Sequence, residues 1–138
     1  MNDVTFSNIN ISTRYYDISI IGDFNTPNND GIDIQDSNNT AITRCYINTG
    51  DDAVCPKTNN GPLYNLTVTD CWIKTKSSAI KLGSASLFDF TGLVFDNITI
   101  FESHRGLAFQ IRDGGKLLQY FFFPYIILYQ YNGLCLLI

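Results

Sequence analysis

Histidine is almost missing from this chain, with one among 138 residues, and none of the four cysteines (Cys45, Cys55, Cys71, Cys135) belongs to a Cys-x-x-Cys pair. A Cys/His zinc site needs such ligands at short spacing, so a structural metal of that kind is not expected. Charge is sparse too, at 16% of the residues. Nine Lys and Arg stand against 13 Asp and Glu, a formal net charge of −4. A nucleic-acid surface needs concentrated positive charge, which is lacking. An acidic ligand would need locally placed Lys or Arg. No leader is visible, because Met1-Asn-Asp-Val-Thr-Phe6 already reads as strand. Long helical periodicity and dense leucine spacing are both absent, which excludes βαβ units and leucine-rich repeats.

What is present is a repeat. Ala41-Ile-Thr-Arg-Cys-Tyr-Ile47 is followed 26 residues on by Thr67-Val-Thr-Asp-Cys-Trp-Ile73, and after a further 26 by Leu93-Val-Phe-Asp-Asn-Ile-Thr99. In this alignment Ile42, Val68 and Val94 share one position, and Cys45, Cys71 and Asn97 share another. An earlier copy reads Val4-Thr-Phe-Ser-Asn-Ile-Asn-Ile11. Each copy is a short alternating run bounded by turn residues, as expected of a strand. A second strand recurs after each copy: Gly31-Ile-Asp-Ile34, Ala53-Val-Cys-Pro56, Ala79-Ile-Lys-Leu82 and Gly106-Leu-Ala-Phe109. One coil cannot bury its own inner face, but stacked coils make a continuous core. The expected fold is all-β, a right-handed single-stranded parallel β-helix, with coils over residues 1–116.

Alternation sorts the side chains of the second strand. Ile32, Ile34, Val54, Ile80 and Leu82 point inward, while Asp33, Cys55 and Lys81 point outward. Stacking then sets Asp30, Asp52 and Ser78 in a row at the corner leading into that sheet, with Asp51 beside them. Asp and Asn are common at turns for local reasons. Three aspartates on adjacent coils ask for more, since like charges held close are costly.

Asn28-Asn-Asp-Gly31 followed by Gly50-Asp-Asp52 resembles glycoside hydrolase family 28, the polygalacturonases and their relatives. That family carries Asn-Thr-Asp-Gly, Asp-Asp, Gly-His-Gly and Arg-Ile-Lys on successive coils of a pectin lyase-like β-helix. The resemblance covers about residues 1 to 115, well under half of a complete family member, and implies an incomplete solenoid. It implies inverting hydrolysis of a pectic or related plant-type polysaccharide by a secreted, monomeric protein without cofactor, metal or membrane partner. By position Asp52 looks like the general acid, and Asp30 and Asp51 look like the carboxylates that hold and activate water. An inverting site needs both roles, with room for water between them. The chain departs from the pattern at Ser77-Ser-Ala79, where Ser78 replaces the histidine, and at Ala108-Phe-Gln110, where both basic residues are missing. Lys81, His104, Arg105 and Arg112 are candidates to grip a sugar carboxylate in their place, with Ser78 and Gln110 alongside. A charge exposed on the solenoid surface is an equal account of Lys81, and a surface turn is the plainer account of His104. Two other functions stay open: a carbohydrate-binding or structural β-helix without catalysis, and a calcium-dependent pectate lyase-like enzyme, since clustered carboxylates suit Ca²⁺.

Asn10, Asn38, Asn65 and Asn97 open Asn-x-Ser/Thr sequons and are candidate glycosylation sites. Cys45 and Cys71 fall at matching repeat positions, which allows stacked thiols or a disulfide. Residues 117–138 hold no charge and much of the aromatic content. Three accounts of this tail stand: a truncation or reading-frame artefact, a membrane-spanning segment, or an end cap.

Overall fold

A computed structural model of the chain describes residues 4–7, 13–118 and 126–129. It is a right-handed parallel β-helix, and the described residues contain strands and no helix. The first coil comprises β1 (Val4–Ser7), β2 (Thr13–Tyr16) and β3 (Ser19–Ile21). The second comprises β4 (Ile32–Gln35), β5 (Asn38–Thr43) and β6 (Tyr46–Thr49), and the third β7 (Val54–Lys57), β8 (Leu63–Thr69) and β9 (Trp72–Thr75). The fourth comprises β10 (Ser78–Ser84), β11 (Phe90–Asp96) and β12 (Ile98–Phe101). Last come β13 (Arg105–Ile111), β14 (Leu117–Leu118) and β15 (Ile126–Tyr129). Every third strand joins the same sheet, giving three five-stranded parallel sheets: β1-β4-β7-β10-β13, β2-β5-β8-β11-β14 and β3-β6-β9-β12-β15.

The repeat expected as one strand is therefore two. The inward residues Ile42, Cys45 and Ile47 show why, since the alternation of two is broken by one step of three. The extra step is Arg44, whose φ of 53° turns the chain from the second sheet into the third. Asp17, Asp70 and Asn97 make the same corner, with φ of 57°, 56° and 50°. Asn and Asp tolerate this left-handed conformation better than most residues. Arg44 clamps Asp17 with Nε and Nη2 at 2.7 and 2.8 Å, and Asn97 donates to Asp70 at 2.7 Å.

The alignment of the last repeat slips by one. Val68 faces Ile42 on one side and Phe95, not Val94, on the other. Phe95 is fully buried and Val94 only partly, so the buried face sets the register. Asn97 accordingly stacks on Asp70, and Ile98 takes the place one coil beyond Cys71. Ile32, Ile34, Val54, Ile80 and Leu82 all point into the core, as alternation requires. With Phe90, Leu93 and Phe95 they fill it as one column. Each such side chain contributes roughly 1.5–3 kcal/mol by leaving water. Cys45, Cys55 and Cys71 are buried free thiols; Cys135 lies outside the described residues.

Two pieces of the apolar tail continue the ladders. Leu117 and Leu118 pair with Phe90 and Thr91, and Ile126–Tyr129 pairs with Ile98–Phe101. The rest of residues 117–138 lies outside the described residues, as does Asn10. No helix among the described residues is long and apolar enough to cross a membrane.

Candidate active site

The corner that feeds the first sheet is built from backbone. Gly31 N donates to Asp52 O, Ala53 N to Ser78 O, and Arg105 N to Ser77 O, each at 2.9 Å. Gly31 must lack a side chain, because a Cβ there would lie 2.3 Å from Ala53 O of the next coil. The buried hydroxyls of Thr49 and Thr75, on adjacent coils, both donate to the carbonyl of Asp51. The Asp51–Asp52 segment is thereby fixed from two sides.

Register carries this order to the side chains. Ile32 pairs with Val54, Val54 with Ile80, and Ser78 with Arg105. Asp30, Asp52, Ser78 and Arg105 thus occupy one row across four coils. Asp52 is 2% exposed. Its Oδ2 takes the Lys81 ammonium at 2.6 Å, and its Oδ1 accepts from Ser77 Oγ at 2.7 Å and Ser78 N at 3.1 Å. Burial pushes this carboxyl up, but Lys81 and the two serine donors outweigh it and hold the group below the usual carboxylate range. These contacts favour the ionised carboxylate of Asp52 over its protonated form. Asp51 accepts the Asp52 amide on Oδ1 at 2.8 Å. Asp30 behaves oppositely to Asp52: burial and the nearby Asp33 carboxylate push it up to about 6, against the pull of Lys57.

Lys57 is the residue that sequence reading missed. Its ammonium lies 2.5 Å from Asp33 and 3.6 Å from Asp30. The outward parity of Val54-Cys-Pro-Lys57, with Cys55 and Lys57 in phase, could have revealed it. Cys55 is outward by alternation yet fully buried, since Sγ donates to Gly83 O at 3.0 Å.

The candidate sugar-gripping residues divide. Lys81, Arg105 and Gln110 line a shallow pocket of about 210 Å³ with Leu107, Ala108 and Phe109. Ser78 is fully buried, so it supports Arg105 from behind and offers no free surface to a ligand. His104 is exposed in the turn before β13 and does not line the pocket. Arg112 falls just beyond the end of β13, where strand parity no longer applies, and lies 3.6 Å from Asp113.

The sequence model of glycosyl hydrolases family 28 matches residues 1–112, which includes this whole corner. The chain belongs to that family. Comparison with curated proteins and with solved structures gave no match. The family 28 frame covers Asn28-Asn-Asp-Gly31, Gly50-Asp-Asp52, Ser77-Ser-Ala79 and Ala108-Phe-Gln110 alike. Among the described sequon asparagines, Asn65 and Asn97 are exposed with their amides donating to Asn39 and Asp70, while Asn38 accepts from Tyr64 N.

Proposed function

We propose that this family 28 chain hydrolyses glycosidic bonds of an acidic, pectin-type polysaccharide with inversion at the anomeric carbon. The observation that carries this reading is one corner with carboxyl groups in opposite states, Asp52 clamped by donors and Asp30 pushed up to about 6. Environments that drive neighbouring carboxyl groups apart mark acid and base partners. Asp52 takes a proton from water as the water oxygen bonds to the anomeric carbon. The Asp30–Asp51 side supplies the proton to the departing glycosidic oxygen, and the carbon–oxygen bond breaks. Arg105, whose guanidinium is bonded only to serine hydroxyls among the described residues, favours an acidic sugar, because that guanidinium can meet a carboxylate in two places. Such a polymer lies outside the cell, so the reading implies secretion.

A non-catalytic carbohydrate-binding role is the second reading, favoured by Ala108 and Gln110 where the family pattern has basic residues. A calcium-dependent eliminase is less well supported. Asp30, Asp33 and Cys55 bring ligand atoms within 4.8 Å of one another, but the Lys57 ammonium already lies against the two carboxylates. The deciding experiment is reducing-end release from polygalacturonate by the full chain and by Asp52→Asn. A fall of about a thousandfold or more is expected, with inverted product anomer by NMR. Equal release by both, or none by the parent, sinks the hydrolytic reading.

A further inference from the structure

We propose that Lys81 is a positioning residue that holds Asp52 ionised and thereby fixes which carboxylate of the cluster serves as base. The inference rests on the hydrolytic reading of the site and adds a residue that the family motifs do not include.

Lys81 reaches from β10 to the Asp52 carboxylate of the preceding coil, and Asp52 is its only ion-pair partner among the described residues. The partner's side chain is 3% exposed and that of Lys81 21%. An unpaired charge buried this deeply would be expelled or neutralised. Several other groups face Asp52: Asp30 on the preceding coil, Asp51 beside it, Cys55 and Lys57 on β7, and Arg105 through Ser77 and Ser78. Asp30 and Asp51 press a proton onto Asp52. Lys57 is engaged with Asp33 and Asp30, and Arg105 touches the serine hydroxyls, not the carboxylate. Lys81 alone places positive charge in direct contact with Asp52. Remove it, and Asp52 joins its neighbours in sharing protons, so the base is lost under the acid conditions in which the donor stays loaded.

A sugar carboxylate could claim Lys81 only by pulling it from a buried partner. Arg105 in the same pocket needs no such exchange.

The test compares Lys81→Met, Lys81→Arg and Ser77→Ala in the full chain, by the pH profile of kcat/KM and by carbon NMR titration of labelled aspartate carboxyls. In Lys81→Met the acid limb should move up by about one pH unit or more. Lys81→Arg should restore it, and Ser77→Ala should move it part of the way. The Asp52 carboxyl signal should titrate higher in step. An unmoved limb with only a raised KM for acidic substrates would make Lys81 a substrate contact and overturn the proposal. A pH-independent loss that arginine does not rescue overturns it as well. If Lys81→Met fails to fold, an unmoved limb and unmoved titration in Ser77→Ala do the same. Should the parent hydrolyse nothing, the hydrolytic reading fails on its own, and the NMR titration still decides whether Lys81 holds Asp52 ionised.

Discussion

Arg105 stands one coil beyond Ser78, and its Nε donates to Ser78 Oγ at 3.1 Å while Nη2 reaches Ser77 Oγ at 3.3 Å. The two serines in turn hold Asp52. A cation that contacts no carboxylate among the described residues is thus seated one hydrogen bond away from the acidic cluster. Arg105→Ala should raise KM for polygalacturonate by about tenfold or more, the worth of one charge-assisted contact, with a smaller change in kcat. Steady-state kinetics on acidic and methyl-esterified polymer checks this. An equal effect on both substrates would remove Arg105 from carboxylate recognition.

Asp30 makes stability depend on pH in a direction opposite to most carboxylates. Its folded pKa of about 6 lies above the ordinary value of 3.8. The folded state therefore binds more protons between those values, and stability falls as pH rises through them. The loss is on the order of 1–3 kcal/mol. Asp30→Asn should flatten this slope and raise Tm at neutral pH. Thermal melts of both proteins across the acid range provide the comparison, and an Asn variant that melts lower at neutral pH would contradict it.

Gly31→Ala should cost several kcal/mol, because the new methyl meets the Ala53 carbonyl at 2.3 Å and Ile47 Cγ2 at 2.8 Å. Neither backbone can retreat without opening the coil contact that holds Asp52 in place. Denaturant unfolding would show the loss, and a variant within about 0.5 kcal/mol of the parent would mean the coils shift freely there.

The register of the fourth coil is tested by a neighbouring pair. Phe95→Ala should destabilise by about 3–5 kcal/mol and Val94→Ala by roughly 1 or less, since only Phe95 faces the core. Reversed magnitudes in denaturant unfolding would restore the 26-residue alignment in which Val94 matches Val68.

The amino-acid order alone determined the solenoid, the inward column Ile32, Ile34, Val54, Ile80 and Leu82, and the row Asp30, Asp52, Ser78. All of these follow from strand alternation and a near-constant repeat length, which are local properties. The corner at Arg44 was present in the sequence as a step of three between inward residues, but alternating runs on either side hid it. Only the tertiary structure decided the one-residue slip that puts Phe95 over Val68. The burial of a whole face outweighs the likeness of two valines. It alone also separated Asp30 from Asp52 chemically. That difference comes from burial and the Asp33 carboxylate at Asp30, and from Lys81 and the Ser77 and Ser78 donors at Asp52, the last three 25 to 29 residues away in sequence. A carboxylate's charge state depends on what stands within a few ångströms, and at Asp52 the deciding neighbours belong to the next coil.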